Sequence, residues 1–260
     1  MTRVTVLAYH AVGDCPPEDD PHGLWVSPRA FERQLDVLSG ARQVVPLADV
    51  VAGRVRRGAP AVAITFDDAY RCVLEEAVPR LARLGLPATV FVPTAFVGDR
   101  NRWDEPTARD LPIMTADELA SLRSQGVAVE SHGHRHRLLE HASVEEATED
   151  LAASVAALRD LLGREPRHLA YPFTTGSPGA QEAARRLGFE AAFSIDRRDE
   201  GPLARGRVPV TPLDGHRAFA FKTSGRYLQL RHHPATVAAW PLAGRAARGV
   251  RALGARAPGR

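Results

Sequence analysis

Short apolar runs alternate along this chain with longer segments of helical periodicity. Val4 to Tyr9, Ala61 to Phe66, Ala88 to Val92, Val127 to Ser131, His168 to Tyr171 and Ala191 to Ser194 are built mostly from Val, Ile, Ala, Leu, Thr and Phe. They lack a polar face, as strands buried on both sides must. Between them, helices announce themselves by their caps. Ser27 precedes Pro28 and the amphipathic series Phe31, Leu35, Leu38, while Thr115 with Glu118 and Ser143 with Glu146 each have the spacing of a capping box. The longest helix is expected from about Val144 to Leu162, ended by Gly163. A further helix from about Tyr70 to Leu84 contains Pro79, which predicts a kink or two shorter pieces. Strand and helix in alternation predict an α/β protein with a parallel sheet, and six strands is a lower bound.

Composition keeps this picture and narrows it. At 260 residues, with 44% hydrophobic and 25% charged side chains, the chain can bury a large core in one domain. Its two cysteines, Cys15 and Cys72, are far apart and suggest neither a disulfide framework nor a cysteine metal site. Met1 leads directly into the first strand with no signal-peptide pattern, so an unexported, cytoplasmic protein is expected. No run approaches the roughly 18 apolar residues of a membrane span.

Charge divides the chain. From Gly215 onward there are nine Lys or Arg and no Asp or Glu, leaving 25 basic against 31 acidic residues in 1–214. A basic balance confined to one end does not describe a nucleic-acid-binding protein. The expected organisation is a domain over 1–234 followed by a basic tail over 235–260 rich in Ala, Arg and Gly. That tail reads either as poorly ordered or as an amphipathic helix, Ala238 to Arg256, resting on an anionic membrane surface or partner. Pro241, Gly244 and Gly249 weaken the helix.

Candidate chemistry gathers at strand ends. The run Ala63-Ile64-Thr65-Phe66-Asp67-Asp68 places two adjacent carboxylates after an apolar strand, where burial demands a cation or hydrogen bonds. A helix cap beside a solvated Asp would satisfy the same pattern. In Ser131-His132-Gly133-His134-Arg135-His136, one helical turn would aim His132 and His136 at a shared metal; an extended chain would instead align all three histidines. Gly133 favours a turn, and histidines gathered on a solvated loop are the plain alternative. The strand end Leu169-Ala170-Tyr171-Pro172-Phe173 fixes its backbone with a proline, and rigid N–H groups there could serve an oxyanion. A fourth strand end carries Tyr9-His10. In a parallel α/β barrel such ends converge on one face, where active sites are built.

Together these segments resemble the polysaccharide deacetylases, the NodB-homology group of carbohydrate esterase family 4. The likeness runs from Val6-Leu7-Ala8-Tyr9-His10 through Ser27, Phe31, Thr65-Phe66-Asp67-Asp68, Pro87 to Val92, Ser131-His132 with His136, and Ala170-Tyr171-Pro172-Phe173, to Gly188-Phe189. It covers roughly the first 210 residues and implies a single-domain, distorted (β/α) barrel. By that resemblance Asp67 is the catalytic base and Asp68, His132 and His136 hold a divalent metal, usually zinc, with cobalt, manganese or nickel as alternatives. Tyr171, Pro172 and Phe173 belong to the substrate and oxyanion side.

The chain also departs from the family pattern. Ala69 stands where Gly is usual. No late Leu-x-x-His is present, His232-His233 being a poor substitute, and branches opening with a Tyr-His strand use that histidine as general acid, here His10. The arginine that commonly pairs with the base is missing from the Tyr171 segment, and Arg207 is the candidate replacement. The implied activity is removal of an N-acetyl group from an aminosugar unit of a saccharide or glycoconjugate. Deacylation of a small-molecule amide in a cytosolic pathway is the second reading. A catalytically silent carbohydrate-binding module is the third, and the retained base, ligands and acid argue against it.

Overall fold

A computed structural model describes residues 3–104, 110–173, 175–197 and 199–233 of the chain. The basic tail therefore lies outside the described residues, as does the boundary drawn before it.

Among the described residues, ten strands and eight α-helices alternate. The strands are β1 (Val4–Tyr9), β2 (Ala11–Val12), β3 (Trp25–Val26), β4 (Gln43–Val44), β5 (Ala61–Phe66), β6 (Ala88–Val92), β7 (Val127–Ser131), β8 (His168–Ala170), β9 (Ala191–Ile195) and β10 (Arg205–Pro209). The helices are α1 (Pro28–Ala41), α2 (Leu47–Val51), α3 (Val78–Arg83), α4 (Ala116–Ser121), α5 (Val144–Leu162), α6 (Pro178–Arg186), α7 (His216–Lys222) and α8 (Tyr227–Arg231). All six expected strands are present, β8 ending one residue early and β9 one residue late. β10 and the two-residue strands β2, β3 and β4 were not expected.

Closure decides what the fold can do. β1 pairs in parallel with both β10 and β5, so the order β1-β10-β9-β8-β7-β6-β5 returns on itself as a seven-stranded barrel. Register aligns the strand ends: Tyr9 lies beside Phe66, Phe66 beside Val90, Val92 beside Ser131, Ser131 beside Leu169, Ala170 beside Phe193 and Ile195 beside Arg207. Every residue just past those ends stands on one rim.

Alternation along the strands separates two layers. Val6, Ala63, Phe91, Ala170, Ala191 and Phe193 pack inside with Leu47 and Val50 of α2. Leu7, Tyr9, Ile64 and Phe66 face outward onto Phe31, Leu35 and Leu38 of α1. The small inward side chains leave room for the bulky ones, as in other filled barrels.

Helix boundaries follow the caps. Ser27 accepts from Ala30 N–H, and both capping boxes are complete, at Thr115–Glu118 and at Ser143–Glu146. Gly163 closes α5 in the left-handed conformation, φ 69°. The Pro79 segment divides as expected: a π turn, Val73–Ala77, precedes α3. Widening the turn accommodates a proline that cannot donate to the carbonyl ladder, and Arg80 donates its own hydrogen bond to the Glu76 carbonyl at 2.7 Å.

Candidate active site

The rim gathers one set of side chains from five strand ends. β5 delivers the two carboxylates by a sharp turn in which Asp68 and Ala69 both adopt positive φ, 68° and 55°. Two successive non-glycine residues in that region store on the order of 1–3 kcal/mol each, and hydrogen bonds from Asp67 N–H to Tyr9 O and from Met114 N–H to Ala69 O hold the turn. As a result the two carboxylates point to different partners.

Asp67 meets Arg207 of β10 in a bidentate pair, 2.6 and 2.7 Å, with both side chains fully buried. The guanidinium also donates to Thr65 Oγ1 at 3.0 Å and lies 5.2 Å over the Phe91 ring. Thr65 in turn donates to the Leu7 carbonyl at 2.6 Å, which fixes its lone pairs toward the arginine. Burial opposes the charge on Asp67, but the Arg207 guanidinium, through its charge and its two hydrogen bonds, outweighs it and holds the carboxyl below its ordinary range. Asp67 is thus an ionised carboxylate in a dry setting, held at a fixed angle.

Asp68 meets the two histidines. Its Oδ1 lies 3.3 Å from His132 Nε2 and 3.1 Å from His136 Nε2. The three ligand atoms all lie within 4.8 Å of one another and all three residues are buried. His132 Nδ1 stands 2.7 Å from the Ala170 carbonyl, a partner it can meet only by donating. That leaves the Nε2 of neutral His132 with a lone pair aimed at a carboxylate oxygen, and Asp68 Oδ1 has no hydrogen-bond partner of its own. Two imidazole nitrogens and a carboxylate oxygen converging in a buried space fit a divalent cation. The histidines converge through a bend, with Gly133 at φ 74° and His136 at φ 49°, and not through the helical turn the spacing also allowed. His134 turns aside, its Nδ1 2.9 Å from Thr94 Oγ1.

Around these groups lies a cavity of about 370 Å³. His10 enters it from the end of β1, its Nε2 3.9 Å from Asp67 Oδ2. Trp103 and Phe173 flank His136 with ring centroids at 4.1 and 4.7 Å. His22, Leu24, Ile195 and Thr211 complete much of the wall. A second cavity, about 830 Å³, shares His22, Gly23 and Thr211 with the first, so the cleft continues past the Asp68, His132 and His136 cluster.

The expected oxyanion segment needs a correction. The Tyr171 hydroxyl donates to the Leu203 carbonyl at 3.0 Å, its N–H donates to Phe193 O at 2.9 Å, and its ring packs with Leu139 and Ala180 away from the cavity. Tyr171 is therefore a core residue whose donors are already engaged. Pro172 has no N–H to offer, which leaves Phe173 N–H, on a residue turned to φ 64°, as the donor of that segment. The segment serves the site in other ways: Ala170 orients His132 and Phe173 packs on His136. His232 lies elsewhere, 3.5 Å from Asp196.

Several cavity residues escaped the sequence reading. His22 and Leu24 sit on a loop and Trp103 in a short 3-10 turn between strands, none of them in a motif, and only the tendency of connecting segments to carry function would have flagged them. Thr65 was visible in its motif, but its bond to Arg207 was not.

A seven-stranded parallel barrel with this rim defines a class, and similarity places the chain within it. Residues 54–192 match the polysaccharide deacetylase family, to which the chain belongs. The chain is 22% identical to YxkH of Bacillus subtilis, a protein named for the polysaccharide deacetylases, over 218 residues, 81% of this chain and 72% of that one. It is 26% identical over 148 residues to the poly-beta-1,6-N-acetyl-D-glucosamine N-deacetylase of Staphylococcus aureus, spanning about half of that relative's length (49%) and 54% of its own. The structure of IcaB from Ammonifex degensii superposes with a TM-score of 0.70 at 26% identity, covering 86% of this chain and 98% of that one. The fold is the (β/α) barrel of polysaccharide deacetylases, and the family's members are hydrolases.

Proposed function

We propose that this chain is a metal-dependent N-deacetylase that removes the acetyl group from an aminosugar unit within a saccharide. The observation that carries the reading is the pairing of two adjacent carboxylates with different partners: Asp67 with a buried arginine, Asp68 with two buried histidines. A cation held by Asp68, His132 and His136, for which the nitrogen and oxygen donors suit zinc, would polarise an amide carbonyl and make bound water acidic.

The chain's own groups supply the proton steps. Asp67, kept ionised and oriented by Arg207, accepts the proton of the attacking water. Phe173 N–H donates to the oxygen that becomes negative, and His10 delivers a proton to the departing nitrogen, which leaves poorly without it. The continuation of the cleft past His22 favours a substrate longer than one sugar, and the names of the S. aureus relative and of the family support a saccharide.

Amine release from N-acetylated monosaccharides, oligosaccharides and small amides tests this, with the metal-replete protein compared against a chelated sample. Release from oligosaccharides that chelation abolishes is expected. A fully metallated protein that deacetylates none of the sugars, or only small amides, overturns the saccharide assignment.

A further inference from the structure

We propose that Asp150 of α5 is a positioning residue that sets the geometry of the metal ligands through the backbone between them. Its side chain is buried, 3% exposed, in mid-helix, where a carboxylate needs compensation. The compensation comes from the loop: Asp150 Oδ2 accepts from His134 N–H at 2.8 Å and Oδ1 from Arg135 N–H at 3.0 Å. These are two of the three residues that separate His132 from His136. The third, Gly133, donates its N–H to Ser131 Oγ at 3.1 Å, and Ser131 Oγ is 2.8 Å from Ser154 Oγ, one turn beyond Asp150 on α5. Three consecutive N–H groups are thus captured by side chains, two of them by one carboxylate.

The other edge of the loop is held as well. Gly133 O accepts from Thr94 N–H at 3.2 Å and His134 O from Ala95 N–H at 2.9 Å. Between these two grips the chain takes the positive φ angles at Gly133 and His136 that turn both imidazoles onto Asp68. The grip leaves no room for a side chain at Gly133, where a Cβ would lie 2.9 Å from Asp150 Oδ2. Glycine at this position and aspartate at 150 are therefore one device. Asp150 touches neither substrate nor metal and acts by holding the His132 to His136 distance and angle, as residues behind metal ligands do.

This inference rests on the metal reading above. Its test is titration of chelator-stripped wild type, Asp150→Asn and Asp150→Ala with Co²⁺, following the visible d–d absorption of the bound ion, alongside thermal unfolding of the metal-free proteins. Asn keeps one acceptor oxygen and Ala keeps none. The expected order of cobalt affinity is wild type, Asn, Ala, with Ala weaker by about 10- to 100-fold and with an altered absorption band. Metal-free samples of the Asn variant that still unfold cooperatively separate this effect from loss of fold. Equal affinities and identical spectra in folded variants overturn the role of Asp150 alone. A wild-type protein that binds no cobalt overturns the metal reading and this inference with it.

Discussion

Asp67 and His10 face the same cavity, and the proposed mechanism gives them opposite proton duties that single substitutions separate. Asp67→Asn preserves shape and leaves Asp68, His132 and His136 untouched, so metal content measured by elemental analysis should stay at the wild-type level. Turnover should fall by about 10² to 10⁴, the usual contribution of a positioned base. Loss of metal together with activity would mean that Asp67 is itself a ligand. His10→Ala should keep fold and metal while slowing alkyl amides far more than activated aryl acetates, whose leaving groups depart without a proton. Equal losses in kcat/KM on both substrates would assign His10 a packing role under the rim. The 3.9 Å gap between His10 Nε2 and Asp67 Oδ2 suits two groups on either side of a reacting amide better than a directly bonded pair.

At the scale of elements, capping chemistry is legible because it is local. Ser143 and Glu146 exchange hydrogen bonds at the start of α5, 3.2 and 2.9 Å. Ser143→Ala should cost about 1 kcal/mol; a calorimetric scan should show a melting temperature lower by a few degrees, and an unchanged scan would mean that tertiary packing alone holds that end. β10 escaped notice for the opposite reason. Gly206 and Pro209 are poor strand formers, the charges of Arg205 and Arg207 interrupt any apolar run, and Arg207 tolerates its buried place because Asp67, Thr65 and the Phe91 ring meet it there. A residue's partner 140 positions away leaves no local trace.

The whole molecule adds a response to acid. At the start of β8, His168 is buried, and burial, aided by Arg167 and Arg164 and opposed by Glu190, pushes its pKa down from 6.5 to about 4. The unfolded chain takes up that proton near pH 6.5 while the folded chain resists until about 4, so this contribution is whole above pH 6.5 and is lost as pH falls toward 4. Glu130, whose Oε1 lies 3.7 Å from His168 Nδ1, works in the other sense: burial raises its pKa, and taking up a proton favours the fold. His168→Gln should reduce the loss of stability between pH 7 and pH 4.5 by on the order of 2 kcal/mol. Urea unfolding of both proteins at the two pH values measures it. Parallel pH dependence of the two would show that His168 is protonated in the folded state as readily as in the unfolded one.

Taken along its length, the sequence determined the features whose causes are local or periodic. Both-face burial made six barrel strands recognisable as unbroken apolar runs, Ser27, Thr115 and Ser143 marked their helices, and adjacent Asp67 and Asp68 could not be buried without partners. The resemblance named Arg207, His132 and His136 as their partners, but the geometry that joins them belonged to tertiary structure. Closure of β1 onto both β5 and β10 brought Arg207 to Asp67, the bend at Gly133 turned His132 and His136 onto Asp68, and Asp150 reached that bend from α5. It also withdrew Tyr171 into the core by engaging both of its donors. Hydrogen bonds act over about 3 Å in space, whatever the separation along the chain, so these pairings exist only once the barrel has closed.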